Sequence, residues 1–337
     1  MIHDFSRAFE KNSFKDILGQ EQTKEQLKSA LLMNRHLIII GPPGTGKTTI
    51  ARNIAKLLPS IEANDCEYHC DPKKPLCPKC KNGKAGTKTI DGLSRFIRIQ
   101  GSPDLTVEDL IGDIDPTQAL KHGAASIEAF VPGKIFKANN GILFLDELNR
   151  CPEKLQNALL QVLEEGKATI GAYTMDLPAN FIFIGTMNPQ ETAATEKLSD
   201  VFLDRFDIIQ MNYPQKNTTE KEITISKGKK KAEFPPFLLD KTIGFIRALR
   251  ENKNLIRKPS VRATIGLYER AQANAILSGR KKVLPRDIAK AITSVLSHRI
   301  ELKPSAKYLQ TEEEFITQQF KKYTSEHQEL EQSGDCL

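Results

Sequence analysis

Short, unbroken apolar runs alternate with amphipathic stretches over the first two-thirds of the chain. Leu37-Ile38-Ile39-Ile40, Ile142-Leu143-Phe144-Leu145, Phe181-Ile182-Phe183-Ile184 and Ile208-Ile209 are bounded by Gly, Asn or charged residues. Runs this short and this apolar read as strands buried on both faces of a parallel sheet. Residues 95–100 read as a further strand. Residues 48–58 and 152–165 read as helices; in the second, Leu155, Ala158, Leu159, Val162 and Leu163 share one face. An amphipathic helix is expected from Gln20, and another over 102–111 with Pro103 near its start. Residues 167–177 read as a hairpin turning at Gly171-Ala172. Residues 112–140 read as a hairpin or extended insert, and 61–91, rich in Lys, Pro, Gly and Cys, as irregular.

Strands alternating with helices predict a three-layer α/β domain with a parallel central sheet. From residue 237 to 300 only helical periodicity remains, as in 264–277 and 285–296. The expected organisation is an α/β domain over 1–212, a linker over 213–236 and a small all-α domain over 237–310. A final helix and tail occupy 311–337. The cluster Lys227-Gly228-Lys229-Lys230-Lys231 falls in the linker.

The chain has 337 residues, 39% hydrophobic and 27% charged, with a net charge of +7. That composition fits a globular protein of two domains. No apolar run approaches the ~20 residues of a membrane span. The first sixteen residues lack the apolar core of a signal peptide, so a cytoplasmic location is expected. The basic excess is small and carries no interleaved aromatic residues, so nucleic acid is not an expected partner.

The chemistry begins at Gly41-Pro42-Pro43-Gly44-Thr45-Gly46-Lys47-Thr48-Thr49, directly after the first apolar run. A strand, a Gly-rich loop ending in Gly-Lys-Thr and a helix form a cradle for nucleotide phosphates. Gly41, Gly44 and Gly46 let backbone N–H groups converge, and the helix adds its positive end. Lys47 can reach the β- and γ-phosphates, and the Thr48 hydroxyl can ligate Mg²⁺. The strand at 142–145 runs into Asp146 and Glu147. Asp146 is placed to hold Mg²⁺ with Thr48, and Glu147 to orient or deprotonate the attacking water. The strand at 181–185 leads to Asn188, whose amide is placed by its order in the chain to touch the γ-phosphate or the attacking water; the alternative is a plain Asn188-Pro189 turn. Arg205 precedes the strand at 208–211. It suits transition-state charge stabilisation from a neighbouring subunit, or an ion pair with Asp204 or Asp207. Arg262 opens a helix of the second domain and could reach the γ-phosphate.

In this order the motifs resemble those of the AAA+ ATPases. Asp146-Glu147-Leu148-Asn149-Arg150-Cys151-Pro152 and Gln156-Asn157-Ala158-Leu159-Leu160 are similar to stretches of the MoxR proteins. Phe130-Val131-Pro132-Gly133 and Gly185-Thr186-Met187-Asn188-Pro189 look like both MoxR and magnesium-chelatase ATPase subunits. Residues 115–123 and Ala138-Asn139-Asn140-Gly141 are most similar to the chelatase subunit. The resemblance spans roughly 13–302. It implies a ring, usually of six subunits, hydrolysing Mg-ATP at each interface. Lys47, Thr48, Asp146, Glu147 and Asn188 would act in one subunit, with Arg205 from its neighbour. Arg262 would be the lid sensor, in cis or in trans. Gly19 and Gln20, in Ile17-Leu18-Gly19-Gln20, resemble the segment beside adenine. The insert at 112–135 and the hairpin at 167–177 resemble the group's two extra hairpins. A partner with a von Willebrand-type metal-binding domain is also implied.

The expected function is a MoxR-like ATPase remodelling a partner protein or metal-insertion complex. The alternatives are the motor subunit of a magnesium or cobalt chelatase and, of another class, a nucleic-acid-engaging ATPase.

Four cysteines stand apart from this set: Cys66-x₃-Cys70-x₆-Cys77-x₂-Cys80. In a cytoplasmic chain such spacing reads as metal binding rather than disulfides. Four thiolates suit tetrahedral Zn²⁺. An iron–sulfur cluster uses the same ligands, His69 could replace a Cys, and a loop with free thiols remains the bland alternative.

Overall fold

The computed structural model describes residues 5–10, 14, 16–75, 77–123, 126, 128–170, 173–188 and 198–326. The chain divides into two compact units: the first runs to Met211 apart from Pro42–Thr45, and the second comprises Pro42–Thr45 and the chain from Asn212 onward.

The first unit is built on five parallel strands: β1 (Leu37–Ile40), β2 (Phe96–Gln100), β3 (Ile142–Asp146), β4 (Ile182–Met187) and β5 (Asp207–Gln210). Their spatial order is β5-β1-β4-β3-β2. Helices α1 (Glu21–Leu32), α2 (Lys47–Leu57) and α3 (Glu153–Glu165) accompany them. One apolar cluster joins Leu27 and Leu31 of α1, Ile50 and Ile54 of α2, and Leu37, Ile39, Phe144 and Ile184 of the sheet. On the other face Leu155, Leu159 and Val162 of α3 pack with Ile38, Leu143, Leu145 and Phe183. Successive residues of β1 and β3 thus serve opposite layers, which is why residues 37–40 and 142–145 are all apolar. Each such Leu or Ile contributes about 1.5–3 kcal/mol on burial.

The register aligns the strands' carboxyl ends. Ile40 lies opposite Met187 and Gln210, and Gln100 opposite Asp146. In open parallel sheets ligands bind beyond those ends, where the strand order reverses.

Several elements depart from the sequence reading. The stretch expected to be irregular at 61–91 is closed by an antiparallel pair, Ile61–Asn64 with Thr87–Ile90, and contains a short helix, Pro78–Lys81. The helix expected at 102–111 is shortened to Val107–Ile111. Thr106 accepts from the Asp109 N–H at 3.2 Å while Asp109 accepts from the Thr106 N–H at 3.1 Å, so this capping box, not Ser102-Pro103, starts the helix. The insert pairs Gly112–Ile114 with Phe130–Pro132 and carries the helix Pro116–His122, capped by Asp115. Lys167–Ile170 pairs antiparallel with Tyr173–Pro178; the Gly171-Ala172 turn lies outside the described residues.

The second unit is helical: α4 (Asn217–Lys227), α5 (Pro236–Glu251), α6 (Val261–Leu277), α7 (Pro285–Leu296) and α8 (Glu312–Glu326). Leu255–Arg257 pairs with Glu301–Leu302, a small ribbon that the helical periodicity hid. The linker expected over 213–236 is corrected by α4. Its Glu220 is fully buried, and Arg250 of α5 donates to both carboxylate oxygens at 2.6 and 2.7 Å. Thr264 of α6 adds a third bond at 2.6 Å. One carboxylate therefore ties α4, α5 and α6 together. Lys229 and Lys231 are held as well, their backbone N–H groups donating to Glu269 and Gln272. Residues 327–337 of the expected tail lie outside the described residues.

Candidate active site

Strand ends and loop geometry shape the candidate site. After β1 the chain curls through Gly44 and Gly46, at φ +74° and +99°, into the N-terminus of α2. L side chains rarely adopt those angles, so the curl depends on glycine. Lys47 Nζ donates to the Gly41 carbonyl at 2.6 Å, and Thr45 Oγ1 to the Pro42 carbonyl at 3.0 Å. Thr48, on the first turn of α2, reaches across to β3, where its hydroxyl donates to Asp146 Oδ2 at 3.2 Å.

Asp146 is the hub. Thr186 of β4 donates to Oδ1 at 2.6 Å, and Arg98 of β2 meets Oδ2 at 2.7 Å. The same Thr186 hydroxyl accepts the Glu147 N–H at 3.0 Å. Glu147 sits in the left-handed region, at φ +59°. This is an uncommon conformation for a residue with a Cβ, of the kind found where a site stores strain. Gly101 allows it: a Cβ there would lie 2.2 Å from the Glu147 carbonyl oxygen. The Glu147 carboxylate accepts from Gln100 Nε2 at 2.9 Å and from Arg150 Nη1 at 3.0 Å, both on Oε2.

Asn188 follows β4, half-buried, on the strand between β1 and β3. Gly19 and Gln20 both have positive φ, +69° and +63°. Thr23 beside them donates to the Gln210 carbonyl at 2.9 Å, seating this turn at the end of β5, next to β1. Arg205 pairs with Glu164 at the end of α3 and donates to the Val201 carbonyl at 2.5 Å. Its partner is neither Asp204 nor Asp207; Asp207 instead pairs with Arg35 at 3.0 Å. Arg262 is exposed on the first turn of α6.

Arg98, Gln100 and Gly101 were not singled out from the sequence, and Arg150 and Thr186 stood there only within quoted stretches, without a role. Arg98, Gln100, Gly101 and Thr186 lie at strand ends that the register brings beside Asp146 and Glu147, and Arg150 closes the short 3₁₀ turn after β3.

Glycine angles that open a phosphate cradle, and a hydroxyl and a carboxylate meeting at 3.2 Å, fit Mg-ATP. The chain's relatives agree. The family described as "ATPase family associated with various cellular activities (AAA)" matches residues 75–208, and the AAA lid domain matches 256–319. The family "Magnesium chelatase, subunit ChlI" matches 13–69. The magnesium-chelatase subunit ChlI of Nostoc sp. is 30% identical over 331 residues, covering 86% of this chain and 84% of the relative. The chain belongs to the AAA+ ATPases of the magnesium-chelatase ChlI and MoxR group. The ChlI homolog of Methanocaldococcus jannaschii is 29% identical, covering 86% of both chains. Chaperone MoxR1 of Mycobacterium tuberculosis is 27% identical, covering 89% of this chain and 76% of the relative. As an AAA+ ATPase this chain binds ATP with Mg²⁺ and hydrolyses it. Among the described residues, no helix is long and apolar enough to cross a membrane.

Proposed function

We propose that the chain is the ATPase motor of a metal-chelatase complex, working as a cytoplasmic ring of about six subunits and driving insertion of Mg²⁺ or Co²⁺ into a tetrapyrrole. The observation that carries the chelatase reading is the ChlI match at 13–69, together with ChlI relatives spanning more than four-fifths of both chains. It moves the preferred reading from MoxR-like remodelling, the first expectation from sequence, to the chelatase alternative. The MoxR1 relative keeps remodelling of a partner protein as the second reading. A partner with a von Willebrand-type domain fits either.

The site residues take these roles. The backbone of 41–46, with Thr49 in the first turn of α2, lines the phosphate cradle. Lys47, now on the Gly41 carbonyl, turns toward the phosphates. Thr48 and Asp146 would hold Mg²⁺, which would supply neutralisation of phosphate charge. Arg98 holds the Asp146 carboxylate in place. Glu147 takes the proton from the attacking water, with Gln100 and Arg150 fixing its carboxylate. Asn188 orients the γ-phosphate or the water. Gly19 and Gln20 border adenine. Arg205 leaves Glu164 to serve the neighbouring subunit's ATP, and Arg262 senses the γ-phosphate from the lid.

The decisive experiment follows ATP-dependent metal insertion into a porphyrin, by fluorescence, in host extract depleted of this chain. Added wild-type chain is expected to restore insertion, and the Glu147→Gln variant is not. Insertion that is unaffected by depletion would overturn the chelatase reading and leave the remodelling one.

A further inference from the structure

The four clustered cysteines belong to no part of the ATP site. Their sulfur atoms lie within 4.8 Å of one another. Cys70, Cys77 and Cys80 are buried, and Cys66 is partly exposed. A tetrahedral zinc with Zn–S bonds of about 2.3 Å needs its sulfurs about 3.8 Å apart. The four thiols thus stand within about 1 Å of the required spread. A cubane iron–sulfur cluster, each thiolate on its own iron, needs a much wider one.

The backbone is shaped for the same ligand. The Cys70 N–H donates to Cys66 Sγ at 3.3 Å, an amide–sulfur bond that fixes where this sulfur points. In Cys77-Pro78-Lys79-Cys80 the Cys80 N–H returns to the Cys77 carbonyl at 3.1 Å. Gly83, at φ +66°, then donates to the Cys80 carbonyl, closing a tight knuckle. Four thiolates around a divalent ion leave a double negative charge. The stretch 65–88 carries Lys73, Lys74, Lys79, Lys81, Lys84 and Lys88 against Asp65, Glu67 and Asp71, a basic excess of the sign that offsets it.

The fold also needs something at this point. Buried Arg95 ties the two ends of the insert, donating to the Pro59, Asp91 and Asn140 carbonyls. Between those ends few apolar side chains are buried. Among the described residues of 65–86, only Tyr68 and three cysteines are buried. Small modules without an apolar centre are held by metal or disulfides.

The geometry points to a structural, mononuclear zinc site formed by Cys66, Cys70, Cys77 and Cys80. All four ligand positions are filled by protein, so the site has no open position for catalysis. Its place in the fold is specific. Asn139 Nδ2 donates to the Tyr68 carbonyl at 3.0 Å, anchoring the Cys66–Cys70 segment to the turn that leads into β3.

The test uses the full chain, expressed with added zinc and purified without chelator. Metal content, acid-labile sulfide and free thiols are measured. About one zinc per chain, no labile sulfide, and release of that zinc as a mercurial reagent consumes the four cluster thiols, counted apart from Cys151 and Cys336, are expected. Exchange into Co²⁺ should give the charge-transfer and d–d spectrum of a tetrahedral tetrathiolate. Iron with labile sulfide, two disulfides, or a metal-free chain with four reactive thiols would each overturn the site. The double variant Cys77→Ser/Cys80→Ser should lose the zinc. If that variant fails to fold, the thiol titration and the cobalt spectrum of the wild-type chain decide alone.

Discussion

Replacing Glu147 with Gln is expected to leave ATP binding nearly unchanged and to slow hydrolysis by about 10²–10⁴-fold, the usual contribution of a positioned general base. That range corresponds to about 3–5 kcal/mol in the barrier. The substitution preserves shape and keeps an oxygen for the bonds from Gln100 and Arg150. It leaves the Thr186–Asp146 contact untouched, because Thr186 meets the backbone N–H of Glu147 rather than its carboxylate. What it removes is the ability to accept a proton. The check is paired: equilibrium binding of a fluorescent ATP analogue, and steady-state phosphate release. Hydrolysis within threefold of wild type would remove Glu147 from the base role. A parallel loss of ATP affinity would mean that the carboxylate acts by holding the site together.

The second large effect lies in the helical unit. Glu220→Ala should cost about 3–5 kcal/mol, because it strands a buried guanidinium without its counter-charge. Arg250 is 4% exposed and keeps only the Pro259 carbonyl at 2.8 Å and the Tyr213 ring at 4.6 Å. Thr264, fully buried, loses its acceptor too. The control is Asp240→Ala, which removes the partly exposed Lys221–Asp240 pair and should cost no more than about 1 kcal/mol. Urea unfolding followed by helical circular dichroism compares the two. A Glu220→Ala cost no larger than the Asp240→Ala cost would contradict a structural role for the buried carboxylate.

The phosphate loop and the Asp146-Glu147 pair were legible because each is a contiguous run whose chemistry follows from residue type and a neighbouring strand. The parallel sheet was legible for a related reason, since the runs 37–40, 142–145 and 181–184 are apolar at every position. Arg98, Gln100 and Thr186 escaped notice because one polar residue on a strand is ordinary until register places it against a carboxylate. Helix α4 escaped because its buried face is Glu220 and Thr224 rather than Leu or Ile. Its stability comes from tertiary bonds to Arg250 and Thr264, and no periodicity announces those. The pair at Ile61–Asn64 and Thr87–Ile90 is largely exposed on its second strand, so it lacks the alternation that marks a half-buried ribbon. Arg205 shows the reverse case: the ion-pair alternative read from sequence looked to its neighbours Asp204 and Asp207, but its resting partner, Glu164, lies 41 residues away.

The most direct measurement is specific ATPase activity against protein concentration, with and without added DNA. If Arg205 completes a neighbour's site, activity per chain should rise with concentration until assembly saturates, and DNA should not change it. An activity per chain independent of concentration, or one stimulated many-fold by DNA, would contradict an ATP site shared between subunits of a chelatase-type motor.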